Sequence, residues 1–269
     1  MSSSLEVREC SKTFSAGRDR TVALDEASLR IDAGQLVAVL GSNGAGKSTL
    51  LNVVSGNLVP DDGSVHVNDR DLTRWPSWKR GRYIWTIRQD PEDNVLSNLS
   101  VEENLALAQA AGPNRRGLGP LITQERRRRS AEALESLGMG LEQRLKAKGS
   151  ELSGGQRQAV AVAMATVADP DVLLCDEHVA ALDPRSARTV THATQALVRD
   201  RKLACLMITH NLEQAGDLAD RVVIMHQGRI VTDLDNDGQE LGSETLLAHF
   251  EEATGGNVPD VVQLAGVDG

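Results

Sequence analysis

Leu36-Val37-Ala38-Val39-Leu40 runs directly into Gly41-Ser42-Asn43-Gly44-Ala45-Gly46-Lys47-Ser48-Thr49. The apolar run reads as a strand buried on both faces, as in a parallel sheet. The residues after it fit G-x-x-x-x-G-K-[ST], and a helical stretch over about 47–55 leaves them. Glycines let the backbone turn its N–H groups inward on a phosphate, and the helix start adds its positive end. In that pattern Lys47 reaches the β- and γ-phosphates and the Ser48 hydroxyl serves Mg²⁺.

Further along, Val172-Leu173-Leu174-Cys175 and Ala204-Cys205-Leu206-Met207-Ile208 repeat the buried-strand pattern. Helical stretches fall over 47–55, 154–168 and 185–199. Alternating strands and helices predict an α/β fold around a parallel sheet. Val222–Met225 and Arg229–Val231 flank His226-Gln227-Gly228, which predicts a terminal hairpin. Residues 90–150 read differently, as helices over 100–111 and 122–137 joined by a Gly-, Pro- and Arg-rich loop from Gly112 to Pro120.

Composition excludes several classes. Lys and Arg number 29 against 38 Asp and Glu, a net charge of -9. The excess lies after Arg229, where nine acidic and no basic residues occur. A balanced body with an acidic end lacks the basic face of a nucleic-acid binder. No apolar run approaches the roughly 20 residues of a membrane span. The opening MSSSLEVREC has neither the basic nor the apolar segment of a secretory signal, so a cytoplasmic location is expected. Cys10, Cys175 and Cys205 are too few and too scattered for a disulfide scaffold. Aromatics are 2%, so the core must be aliphatic.

Asp176 and Glu177 end the apolar strand that starts at Val172, where ligands of such sheets bind. A carboxylate there suits Mg²⁺ and its water shell, and its neighbour can deprotonate an attacking water. Ser153-Gly154-Gly155 opens a helical stretch with a Ser cap and bare glycines, a second anion-binding start.

Leu152-Ser153-Gly154-Gly155-Gln156-Arg157-Gln158 carries a family resemblance. It resembles the signature of ATP-binding cassette (ABC) ATPases. The order of motifs over about residues 4–232 matches that family. The resemblance implies a P-loop NTPase parallel-sheet core, an antiparallel N-terminal β subdomain and an inserted α-helical subdomain. The corresponding boundaries are 4–250 for the ATPase domain (core 4–89 and 151–232, helices about 90–150) and 251–269 for an acidic tail. It implies ATP and Mg²⁺ as ligands and two copies meeting head to tail. Each ATP then lies between the phosphate loop of one copy and Ser153, Gly154, Gly155 and Gln156 of the other.

By the same resemblance Gln89 matches the glutamine loop, touching Mg²⁺ or the attacking water. His210 matches the histidine at the γ-phosphate, a cap on helix 211–218 being the alternative. Asp183 matches the loop communicating between the two sites and also fits a helix N-cap. Phe14 matches the aromatic stacked on adenine. Arg157 and Gln158 fit support of their helix. Where most cassettes continue Asp-Glu-Pro-Thr, this chain reads Asp176-Glu177-His178-Val179. His178 either perturbs Glu177 electrostatically or is a passive variant. Cys175 stands at a usually aliphatic position.

The stretches 175–184, 206–215 and 225–230 resemble the ATPase component of bacterial uptake systems for tryptophan or tyrosine. That group implies a separate transmembrane permease, an extracytoplasmic solute-binding protein and a peripheral position on the cytoplasmic membrane face. Trp75 and Trp78 fit either core packing or a groove for the permease. Arg126–Arg129 fit either a solvated helix face or contact with lipid or permease. The rivals are a soluble cassette ATPase of DNA repair or translation and an exporter or lipid-extraction ATPase. The first usually carries coiled coils, tandem cassettes or basic extensions, which this sequence lacks.

Overall fold

The computed structural model describes residues 4–17, 19–112, 120–236 and 241–255. The chain forms two compact units, Met1–Arg80 with Ala204–Gly269, and Gly81–Leu203.

The first unit begins with β1 (Leu5–Ala16) and β2 (Asp19–Ile31), paired antiparallel from Leu5–Ile31 onward. Next come β3 (Leu36–Gly41) and α1 (Lys47–Ser55). β4 (Asp62–Val67) pairs antiparallel with β1, and β5 (Arg70–Asp71) adds a short edge. The resulting sheet, β2-β1-β4-β5, is the expected antiparallel N-terminal subdomain. Burial alternates along the second half of β2, so one face packs and the other is wet.

A short helix, α2 (Ser77–Arg80), ends this segment. Arg80 is fully buried. Its guanidinium donates to the carbonyls of Val53 and Val54, both at 2.7 Å, Thr73 at 2.8 Å and Trp75 at 2.9 Å. The first two belong to the last turn of α1, whose carbonyls have no helical partner. Burial pulls the Arg80 pKa down to about 10, which leaves it charged at neutral pH. A cation there also complements the negative end of the helix.

The second unit opens with β6 (Ile84–Ile87) and continues through α3 (Val101–Ala111) and α4 (Gln124–Glu135). These are the two inserted helices predicted, α4 shorter because Thr123 caps it. Positions 113–119 of the loop between them lie outside the described residues. α5 (Gly154–Ala168), β7 (Val172–Asp176) and α6 (Pro184–Arg201) complete the unit, with β7 parallel to β6. Within the arginine run, Arg127, Arg128 and Arg129 are ion-paired. Arg128 pairs with Glu125 and Glu132, Arg129 with Glu125, and Arg127 reaches Glu102 on α3. The exposed pairs of Arg128 and Arg129 contribute little each, whereas Glu102 beneath Arg127 is buried.

The chain then returns to the first unit as β8 (Ala204–Ile208), α7 (Leu212–Leu218), β9 (Arg221–His226), β10 (Arg229–Asp235) and α8 (Ser243–Thr254). β3 lies between β8 and β9, parallel to both, and β9–β10 is the predicted hairpin. The continuous apolar run of β3 is buried along its whole length, as a central parallel strand requires. Helix α8 is not foreseen by the sequence reading. It buries Leu246 and Phe250, so residues 251–254, counted above with the acidic tail, are its last turn. Residues 256–269 lie outside the described residues. Among the described residues no helix is long and apolar enough to cross a membrane.

Replacing Arg80 with Ala leaves four carbonyls without their donor. The expected loss is about 3–5 kcal/mol in urea denaturation, with Arg80→Lys recovering only part of it. A loss below about 1 kcal/mol would contradict the clamp.

Candidate functional site

In the first unit the site begins where β3 ends. Gly46, just before α1, has φ 103. A Cβ there would lie 2.4 Å from the Ala23 carbonyl oxygen, so only glycine fits. The hairpin turn braces the loop from behind: Gly228 N–H donates to Ala45 O at 2.9 Å, and Asp25 N–H to Gly228 O at 3.0 Å. The Lys47 side chain is buried and folds back over its own loop. Its ammonium donates to the carbonyls of Gly41 at 2.6 Å and Ser42 at 3.0 Å.

The start of α1 differs from that of its neighbours. No side chain caps it, whereas Ser100, Thr123, Ser153, Asp183 and Asn211 cap α3 through α7. An uncapped helix start with a lysine ammonium over the preceding loop is built for an anion. Asn43, Gly44 and Ser48 are exposed, and Ser42 and Thr49 partly so.

Two other predicted residues belong to this unit. Phe14, on β1 opposite Thr21, is 43% exposed, an aromatic face open to a ligand. His210 follows β8, the strand beside β3. It does not cap α7; Asn211 does, accepting from Gln214 N–H at 2.9 Å. Thr209 holds the same turn, donating to Gln214 Oε1 at 2.7 Å and accepting from Asn211 N–H at 3.2 Å.

The second unit holds the remaining residues. Ile87 is in register with Cys175, so Gln89 and Glu177 follow at the same edge of the β6–β7 pair. Gln89 is exposed, but the backbone on either side of it is fixed. Asn94 accepts from Arg88 N–H at 2.8 Å and donates to the carbonyls of Arg88 at 2.9 Å and Asp90 at 3.2 Å. Its amide also donates to Gln158 Oε1 at 3.0 Å, and Gln158 donates to Arg88 O at 3.0 Å. Arg157 bonds Gly149 O and Glu92, both at 3.0 Å. The glutamine loop is thereby tied to the first turns of α5. The supporting role read for Arg157 and Gln158 matches these bonds; Asn94 gave no sequence signal.

Ser153 caps α5 in a reciprocal box with Gln156: Gln156 N–H donates to Ser153 Oγ at 3.3 Å, and Ser153 N–H to Gln156 Oε1 at 3.1 Å. Arg144 adds a bond to Gln156 Oε1 at 3.2 Å. The Gln156 side chain thus holds the motif in shape. Gly155 lies against α6, where an added Cβ would meet Ser186 Oγ at 2.5 Å. A Cβ on Gly154 would stand 3.9 Å from both Pro91 and Leu182. Asp183 caps α6, accepting from Arg185 and Ser186 N–H groups. Hydrogen bonds from Ser186, side chain and backbone, hold its carboxyl below the usual range.

Asp176 ends β7, and Glu177 follows with φ 44. His178 is buried, its Nε2 3.2 Å from Thr194 Oγ1. Burial pushes its pKa down to about 4, so the ring is neutral at physiological pH. An electrostatic pull of a charged His178 on Glu177 is therefore excluded there. Cys175 is buried in β7.

With this geometry in view, comparison with known proteins gives the class. The ABC transporter family matches residues 24–180. A tyrosine transport ATP-binding protein of Clostridioides difficile (strain R20291) is 35% identical over 257 residues, 93% of this chain and 99% of that one. The phosphonates import ATP-binding protein PhnC of Treponema denticola is 34% identical, over 85% and 88% of the two chains. Among solved structures, a dimeric ATP-binding cassette in a post-hydrolysis state with ADP and phosphate superposes with a TM-score of 0.74 at 26% identity. That match covers 87% of this chain and 99% of the other. The chain belongs to the ABC transporter family. It is an ATP-binding and ATP-hydrolysing transporter subunit.

The tie between glutamine loop and α5 is testable by a double-mutant cycle. Gln158→Leu should cost about 1–3 kcal/mol, because buried partners lose their match. Combined with Asn94→Ala it should show a coupling of at least about 0.5 kcal/mol in chemical denaturation. Strict additivity would deny the tie.

Proposed function

We propose that this subunit drives solute uptake through a separate permease, working as a homodimer at the cytoplasmic face of a membrane. The observation that carries the reading is the uncapped start of α1 beneath a glycine loop, with the Lys47 ammonium held over that loop. Lys47 and the N–H groups of Gly41–Thr49 bind the ATP phosphates, and Phe14 stacks on adenine. Lys47 exchanges its loop carbonyls for phosphate oxygens, a stronger charge-assisted pairing.

Among the described residues no three His, Cys, Asp or Glu side chains cluster as a ready-made metal site. Mg²⁺ keeps several waters and takes phosphate oxygens alongside few protein ligands. Ser48, Asp176 and Gln89 carry the hard oxygen donors that would hold it. Bound Mg²⁺ supplies charge neutralisation at the phosphates. Glu177 takes the proton of the attacking water as general base, and His210 contacts the γ-phosphate.

Ser153, Gly154 and Gly155 offer their helix start to the ATP of the partner copy. Ser153 accepts from Gln156 and so keeps its own hydroxyl hydrogen to donate. Asp183 carries the state of one site to the other. The helical segment of about 90–150 follows nucleotide state through the glutamine loop. Trp78 stands 80% exposed on α2, and Lys79 Nζ lies 3.7 Å from the Trp75 ring centroid. Such an exposed aromatic is a contact for the permease. The relative named for tyrosine transport supports an amino-acid solute, delivered by an extracytoplasmic binding protein.

Lys47→Ala should weaken ATP binding roughly 10- to 100-fold, the equivalent of one charge-assisted hydrogen-bonding partner. Isothermal titration with Mg-ATP checks this, and unchanged affinity in folded protein would remove the phosphate-loop assignment.

Glu177→Gln should keep ATP affinity and lose about 10²–10⁴-fold in hydrolysis. The unreacted γ-phosphate then keeps the sandwich closed, so size-exclusion chromatography should show a dimer that depends on Mg-ATP. Hydrolysis at the wild-type rate would take the role of base away from Glu177.

A further inference from the structure

Glu177 has a side chain, yet its backbone sits in the left-handed region at φ 44. Outside glycine that conformation is unfavourable and persists only where the surroundings over-determine it. Two contacts do so. Ala180 N–H donates to Glu177 O at 3.0 Å, closing a tight turn. The next residue, His178, is 2% exposed, with its ring Nε2 3.2 Å from Thr194 Oγ1. Thr194 spends its hydroxyl hydrogen on Val190 O at 2.9 Å, so its oxygen can only accept from the ring. That places a proton on His178 Nε2, which donates to α6.

Helix α6 is 18 residues long and is capped at its start by Asp183. The turn 177–183 is therefore pinned to this one rigid element at both ends. The backbone conformation that directs the Glu177 carboxylate is set between the end of β7 and the His178 anchor.

We propose that His178, through Thr194, is the positioning residue for Glu177. This rests on the reading of Glu177 as general base. His178 touches no reacting atom; it acts by holding the turn that aims the carboxylate. Removing the anchor lets the backbone relax out of the left-handed region and swings the carboxylate. A displacement of about 1 Å at a reacting group costs up to roughly 100-fold in rate. Binding of ATP, which does not depend on the aim of Glu177, stays intact.

The test compares His178→Leu, Thr194→Val and His178→Gln in the full chain, with Glu177→Gln alongside. Steady-state hydrolysis is normalised to ATP-titrated sites, so any unfolded fraction drops out. His178→Leu and Thr194→Val should each lower kcat roughly 10-fold or more, with the ATP dissociation constant changed by less than about two-fold. The double variant should be no worse than the more damaging single one. His178→Gln, whose amide can still donate to Thr194, should recover most of the rate. Unchanged kcat in His178→Leu and Thr194→Val, with Glu177→Gln inactive, overturns the positioning role and leaves the base in place. Wild-type turnover in Glu177→Gln overturns the base and the positioning role together. Should His178→Leu fail to fold, Thr194→Val is close to isosteric and decides by itself.

Discussion

A lysine ammonium bent back over its own loop, beside a helix start that no side chain caps, concentrates positive potential in one place. Gly41 and Ser42 carbonyls occupy the ammonium meanwhile. Backbone oxygens are weaker partners for it than phosphate oxygens, so the arrangement favours an anion without needing to be rebuilt for it. Much of the first unit maintains that geometry. β3 is fixed between β8 and β9, the hairpin turn bonds the loop at Ala45, and Ala23 leaves Gly46 no room for a side chain. At the far end of α1 the buried Arg80 satisfies the terminal carbonyls. The helix is thus held at its carboxyl end and left open at its amino end, the polarity that an anion site requires.

The second unit applies the opposite treatment to its helix starts. Ser153 and Asp183 cap α5 and α6, and the caps are the residues read as functional. A capping hydroxyl is oriented by the backbone it serves, so it is placed without a separate support. Close packing adds the rest: Gly155 admits the side chain of Ser186 where any larger residue would push α6 away. The glutamine loop, otherwise an exposed turn, takes its shape from Asn94 and Gln158. The glutamine loop is thus referred to α5, and the turn after β7 to α6.

The sequence alone determined the element types near the site. Those signals are local: a buried strand is a run of aliphatics, a phosphate loop is a run of glycines before Lys47, and a capped helix shows its Ser, Asp or Asn. Boundaries followed for α1 and α5, whose starts are marked by Gly46 and Ser153. Helix α8 was not legible, because its short amphipathic pattern sits among acidic residues that read as a tail. Only the tertiary structure decided which polar side chains meet. Arg80 with the end of α1, Asn94 with Gln158, and His178 with Thr194 are separated by 16 to 64 positions in the chain. A hydrogen bond between such residues depends on how whole elements pack, and it leaves no periodicity or spacing in the sequence from which it could be read.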